Sequence, residues 1–244
     1  MQAISLCSQK GGSGKTTLTG HLAVQAARQG GGPVALIDCD PQGSLAAWWN
    51  SRESAQPAFV RTSLATLGAD LQHLRENGFR YVFIDTPPAV SMPILRVMEQ
   101  SDLVVIPTRP SPHDLRAVRA TLDLAERAAK PVIFVVNGAA ARARITSDAA
   151  VALSQHGTVA PGVVCHRIVM ASSMIDGRTV METDPEHRAT GEIVALWGYL
   201  EDRLLRLANR IAFHSQRPAP RSFGRRGDEE AAVPASQLAA GAAS

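Results

Sequence analysis

The sequence lacks the features that would carry it into a membrane or tie it together covalently. No apolar run approaches the roughly 18–20 residues a spanning helix needs, so no membrane span is expected. The N-terminus enters a strand-like run at once, without a leader in front of it. No signal peptide is therefore expected, and the cytoplasm is the expected location. Cys7, Cys39 and Cys165 are odd in number and scattered, with no paired metal-ligand spacing. That excludes a disulfide framework or a zinc ribbon and leaves reduced thiols in the core or near a site. The seven histidines show no metal spacing either, and no internal repeat recurs at a fixed period. Lysine is scarcest of all: it stands only at positions 10, 15 and 130, against 22 arginines.

What is present points to one α/β domain. At 244 residues with 45% hydrophobic content, the chain has the material for a sizeable core. Strand-like runs fall at 2–7, 33–38, 80–85, 102–107 and 131–136, separated by helical stretches. They are near-continuously apolar, as expected of parallel strands covered on both faces. The expected fold class is α/β: a doubly wound, mostly parallel sheet flanked by helices, in a single domain over 1–213. From 214 to 244 the residues turn to Ala, Gly, Pro, Ser and Arg, which reads as a disordered tail. Its Arg217, Arg221, Arg225 and Arg226 are followed by Asp228, Glu229 and Glu230, so it largely neutralises itself.

One run fixes the chemistry: Lys10-Gly11-Gly12-Ser13-Gly14-Lys15-Thr16-Thr17. Glycines strip Cβ atoms from a loop whose backbone N–H groups must curl around phosphates. Lys15 brings charge to the β/γ-phosphates, and Thr16 offers a hydroxyl to Mg²⁺. Ala3–Cys7 before the loop reads as a buried strand. Thr16–Gln29 after it reads as a helix whose N-terminus faces the anion. Lys10 is the unusual member, because an ordinary phosphate loop needs one lysine. In a chain so sparing of lysine, two of three within six residues read as phosphate-directed charges; a solvated loop charge is the alternative for Lys10.

This run resembles the deviant Walker A loop of the ParA/MinD superfamily of P-loop ATPases. Val34–Gln42, a strand ending in Asp-x-Asp-Pro-Gln, is similar to the family's second motif, and Tyr81–Pro88 to its Walker B strand. The likeness continues through Val104–Thr108 and Gly177–Glu182, covers about residues 1–212, and is greatest to the small ParA/ParF-type partition ATPases. Ser8 stands where the family commonly has Asn, which alters one hydrogen bond of the loop. The resemblance implies ATP and Mg²⁺ as cofactors, with a homodimer in which Lys10 reaches across a two-fold axis to the partner's nucleotide. Isologous dimers are common in any case.

The carboxylates take roles by position. Asp85 ends an apolar strand at its carboxyl edge beside the loop, where it can hold Mg²⁺ through water. Asp38 and Asp40, two apart, point the same way if their strand persists. By resemblance, Asp40 orients or deprotonates the attacking water, and Asp38 helps arrange the magnesium shell. The alternative for both is a turn and helix cap at Asp40–Gly43. Asn137, after the strand 132–136, matches a family position near the adenine, with a strand-end turn as alternative. Phosphoryl transfer needs positioning and charge neutralisation more than covalent help, so this set suffices for hydrolysis.

Near the end, Ile193, Leu196, Leu200, Leu204, Leu207 and Ile211 form an apolar stripe at helical spacing. Arg203, Arg206 and Arg210 form an adjacent stripe, and with Arg178 and Arg188 they make a candidate face for DNA phosphates. The alternative is a solvated helix face, because a net charge of +3 is modest. Of Trp48 and Trp49, one is expected in the core and the other at a surface or dimer partner.

Three functional classes follow. The leading one is a nucleotide-switched ATPase that binds non-specific DNA as an ATP dimer and is nucleoid-associated. A ParB-like or adaptor protein resets it by stimulating hydrolysis, so that plasmid or chromosome is partitioned. The same switch acting on protein cargo, such as chemoreceptor clusters, is its variant. A membrane-cycling MinD-like ATPase needs an amphipathic basic helix at the far C-terminus, which Ala235–Ser244 does not supply. A metabolic kinase on the same loop needs an acceptor pocket that the sequence does not reveal. A cluster-bearing reductase needs cysteines after Walker B, and none stands between Cys39 and Cys165. No arginine in the motifs reads as a finger.

Overall fold

The computed structural model describes residues 1–215, with side-chain surroundings through residue 210. The first two residues of the tail expected over 214–244 are helical, in a helix that runs Arg188–Ser215; the rest of that tail and the side chain of Ile211 lie outside the described residues. One compact unit spans Met1–Ala208, and a second begins at Asn209.

Strands and helices alternate. β1 (Gln2–Leu6) feeds α1 (Lys15–Gln29), and β2 (Val34–Asp38) feeds α2 (Ser44–Asn50). A short β3 (Ala58–Val60) precedes α3 (Leu67–Glu76), β4 (Tyr81–Asp85) precedes α4 (Met92–Glu99), and β5 (Leu103–Thr108) precedes α5 (Pro112–Arg127). Then come β6 (Val132–Ala139), α6 (Arg144–Ser154), the two-residue strands β7 (Thr158–Val159) and β8 (Val164–Cys165), α7 (Ile168–Ser172), α8 (Val180–Thr183) and α9 (Arg188–Ser215). The sheet order is β3-β2-β4-β1-β5-β6-β7, with β8 on β6, and every pairing is parallel.

The five expected strands are all present, within a few residues of their expected ends. β3, β7 and β8 were not foreseen: two or three residues carry too little pattern to separate a strand from a loop. The chain winds away from β1 in both directions, through β4 and β2 on one side and β5 and β6 on the other. That reversal opens a crevice at the carboxyl end of β1, where ligands of such sheets bind.

Both sheet faces are covered. On one face Ile4, Leu6, Leu36, Phe83, Val105 and Val135 pack against α1, α2 and α9. The stripe of α9 supplies Ile193, Leu196, Leu200 and Leu204, all essentially inaccessible. Trp197, outside the expected stripe, joins them and sets its ring edge-on to Tyr81 with centroids 4.9 Å apart. On the other face, Val104, Ile106, Phe134 and Val136 pack against α4 and α5, and Ala35, Ile37, Val82 and Ile84 against α3. Helix α5 starts as its sequence demands: Pro112 follows Ser111, whose hydroxyl accepts the Asp114 N–H at 3.1 Å.

Candidate functional site

The loop between β1 and α1 sits in that crevice. Gly12 and Gly14 take φ of 70° and 93°, the left-handed region open to glycine. A Cβ on Gly14 would overlap the amide nitrogen of Asn137. Gly11, Gly12, Gly14, Lys15, Thr16 and Thr17 line a cavity of about 290 Å³, closed opposite by Asp40, Gln42, Ser44 and Pro88. The nearly buried Lys15 ammonium donates to the Lys10 carbonyl at 3.4 Å. Burial lowers its pKa, while Asp85 and Asp40 oppose the shift. The Lys10 side chain is exposed and makes no hydrogen bond or ion pair among the described residues. Ser8 keeps a loop hydrogen bond, accepting the Lys10 N–H at 3.3 Å.

Strand register brings the carboxylates together: Asp38 pairs with Asp85 across β2 and β4. Asp85 is fully buried and accepts the Thr16 hydroxyl at 2.6 Å and the Thr86 N–H at 3.1 Å. Burial pushes its pKa up to about 7, helped by the charge of Asp38 and opposed by Thr16 and Lys15. A buried carboxyl with so little compensation fits a divalent cation. Among the described residues no three His, Cys, Asp or Glu converge as a metal cluster. With the Thr16 hydroxyl beside it, this carboxyl fits an ion such as Mg²⁺, which takes much of its shell from phosphate and water.

Asp38 and Asp40 do not share a strand face, because β2 stops at Asp38. Instead the chain turns. The Asp38 carboxylate accepts the Asp40 N–H at 2.9 Å and the Ala46 N–H at 3.0 Å. It thereby caps α2, whose own cap residue, Gly43, has no side chain to offer. The capping alternative for Asp38 is therefore realised, and a place in a magnesium shell would use the same oxygens. Asp40 accepts the Gln42 N–H at 3.0 Å and faces the loop cavity. Asn137 donates to the Ser13 carbonyl at 2.6 Å, so in this structure its amide braces the loop.

Residues 4–180 match the CobQ/CobB/MinD/ParA nucleotide binding domain. The chain belongs to that family. A carboxysome distribution maintenance protein A from Halothiobacillus neapolitanus is 28% identical over 198 residues, which is 78% of this chain and 91% of that protein. A ParA protein from Rhizobium radiobacter is 31% identical over 126 residues, 51% of this chain and 56% of that one. Among solved structures, apo McdA from Cyanothece superposes with a TM-score of 0.70 at 17% identity, over 82% of this chain and 99% of that one. Pyrococcus horikoshii MinD with Mg-ADP gives 0.66 at 17% identity, over 82% and 95%. At these identities the structures share the fold of the ParA/MinD domain.

Not every expected residue reaches the loop of this ParA/MinD domain. Arg178 pairs with Asp176 at 2.5 Å and Arg206 with Asp202 at 3.0 Å. Arg203 is half-buried, with an Nε that finds no partner among the described residues. Arg188 and Arg210 are exposed. Trp48 is the core member of its pair, and Trp49 is half-buried on Phe59 at 5.4 Å. A larger cavity, about 610 Å³, lies away from the loop between residues 51–54 and 176–182. Its central groups, Arg52 and Glu182, are spent on each other at 2.8 Å, so size alone does not make it the site. Gln42, Ser44 and Pro88 at the loop cavity had no role in the sequence reading, although Gln42 and Pro88 lie inside its motifs. Arg109, which lies against Gly12, had no motif to announce it.

Proposed function

We propose that this chain is an ATP-switched positioning ATPase. It closes into a dimer around ATP, binds DNA without sequence preference, and is reset when a ParB-like or adaptor partner stimulates hydrolysis. The observation that carries this reading is that Lys15 and Thr16 line one cavity, buried Asp85 accepts the Thr16 hydroxyl, and exposed Lys10 directly precedes Gly11 of the same lining. Thr16 and Asp85 would hold Mg²⁺, which would supply charge neutralisation for the phosphate chain. Lys15 and the loop N–H groups would bind that chain from one side. Asp40, at the opposite wall, would orient the attacking water and take its proton. Among the described residues the Lys10 side chain has no partner to leave, which suits a lysine directed at a second subunit's nucleotide.

The cargo is plasmid or chromosome in the sequence reading. One observation favours the protein-cargo variant: the Halothiobacillus relative, named for carboxysome distribution, matches over 91% of its length, whereas the Rhizobium ParA matches over 56%. Deleting the coding sequence separates the variants, as lost plasmids or origins on one side and clumped protein bodies on the other.

The decisive experiment is light scattering with MgADP and then with a slowly hydrolysed ATP analogue, followed by binding to random-sequence DNA at two salt concentrations. A dimer formed only with the analogue, gaining salt-sensitive DNA affinity, is expected. Lys15→Ala should lose nucleotide binding. Lys10→Ala should bind nucleotide yet stay monomeric. An unchanged oligomer without DNA binding would return the chain to the metabolic class.

A further inference from the structure

Strand β5 lies beside β1 on the side away from β4, so its carboxyl end abuts the phosphate loop. Arg109 follows that end directly. Its Nη2 stands 3.1 Å from the point a Cβ on Gly12 would occupy, with Cζ at 3.7 Å and Nη1 at 3.9 Å. The stem runs past a second glycine: Cγ and Nε lie 3.6 and 3.7 Å from the corresponding point on Gly138. Both glycines have left-handed φ, 70° and 64°. The side chain thus lies along two positions without Cβ atoms, and its guanidinium rests on the loop.

That guanidinium is exposed and has neither hydrogen bond nor ion pair among the described residues. Four arginines elsewhere in the fold differ from it: Arg52, Arg80, Arg167 and Arg178 each hold a carboxylate. Gly12 lines the loop cavity, so the guanidinium rests on a glycine that itself borders the candidate phosphate site. ATP brings about four negative charges; within one subunit Mg²⁺ and Lys15 offset about three, which leaves room for one more cation until Lys10 of a second subunit arrives. A planar fork that stays charged at all working pH values suits phosphate oxygens.

We propose that Arg109 is a phosphate-binding residue of the same subunit, its guanidinium turning past Gly12 onto the nucleotide's phosphate chain. This rests on the nucleotide reading above. It adds to the site a cation other than the two loop lysines, held by the end of β5.

The test compares wild type, Arg109→Ala and Arg109→Lys for binding of fluorescent MgATP and MgADP at low and high salt. Lys15→Ala serves as the non-binding control, and melting without nucleotide serves as the fold control. Expected is about a tenfold loss of affinity in Arg109→Ala with a shallower salt dependence, an unchanged melting temperature, and partial recovery in Arg109→Lys. Wild-type affinity and salt slope in Arg109→Ala would overturn the proposal while leaving the nucleotide reading intact. So would a loss matched by a fall in the melting temperature of the free protein, because the arginine would then be supporting the loop only. Failure of the wild type itself to bind either nucleotide would overturn both readings.

Discussion

Asp40 borders two cavities, the phosphate-loop cavity and one of about 250 Å³ reaching along β3 to Arg61 and Thr62. Among the described residues its carboxylate accepts one hydrogen bond, from the Gln42 N–H, which is solvent-exposed, so the carboxylate is held by the turn yet open to a water. Asp40→Asn keeps an oxygen for that turn and removes the base. Phosphate release should fall at least about a hundredfold while ATP-driven dimers persist, as seen in parallel turnover and light-scattering assays. Wild-type turnover in Asp40→Asn would remove Asp40 from the chemistry. His21 makes a different prediction. It is buried in α1, its Nδ1 is 2.8 Å from the Thr17 carbonyl and its Nε2 accepts the Val180 N–H at 3.2 Å. That pairing requires a neutral ring protonated on Nδ1. Burial pulls its pKa down to about 4, outweighing the Thr17 hydrogen bond and the charge of Glu182. Because the folded pKa lies below the unfolded one, the stability it confers is complete above about pH 6.5 and is lost as pH falls towards 4. The loss is about 3 kcal/mol across that window. Urea titrations of wild type and His21→Gln from pH 7.5 to 4.5 check this: the mutant's curve should be flatter by that amount.

Helix α8 is four residues long and owes its place to neighbours. Thr179 and Glu182 form a capping box, and Glu182 also receives Arg52, whose side chain is 2% exposed. Burial raises the Glu182 pKa, but Arg52 and Thr179 outweigh it and the net shift is downward. Glu182→Gln retains an acceptor for the cap and leaves the buried Arg52 charge without a carboxylate, held by the Gly177 and Gln56 carbonyls. A loss of about 3 kcal/mol in urea unfolding is expected, whereas Arg119→Ala, from an exposed pair, should move the midpoint little. A small loss at Glu182 would mean that water reaches the Arg52 guanidinium. The same segment shows what the sequence could and could not tell. The glycines, Lys15, Thr16 and Asp85 were legible because phosphate chemistry dictates residue type and spacing along one stretch of chain. The five long strands were legible because burial on both faces leaves few polar positions, Ser5 and Thr108 among them. The capping of α2 by Asp38 depended on where β2 ends, a boundary that local pattern does not fix. Arg109 and the Arg52–Glu182 pair were invisible, since each joins residues that only the strand order and helix packing bring together. The basic face on α9 was drawn from spacing alone, and Asp202, one turn before Arg206, was overlooked.

The whole molecule carries a formal charge of +3, too little for strong attraction to DNA as a monomer. Of the arginines assigned to DNA, two are held by Asp176 and Asp202, and Arg203 is half-buried. These five positions alone therefore offer few ready phosphate contacts, and on the proposed function DNA affinity is expected to rise when two subunits join. Counterion release makes this measurable, since the logarithm of the binding constant falls with the logarithm of salt at about 0.9 per phosphate neutralised. The slope should about double when the ATP analogue replaces ADP, and Lys10→Ala, which leaves every arginine in place, should keep the shallow slope with either nucleotide. Neutralising Arg203, Arg206 and Arg210 together should leave the dimer and basal turnover intact and flatten the ATP-state slope. A steep slope already present in the ADP state would place DNA affinity in the single subunit and separate it from the nucleotide switch. A slope unchanged in the triple variant would make this helix a solvated face, with the DNA held elsewhere on the dimer.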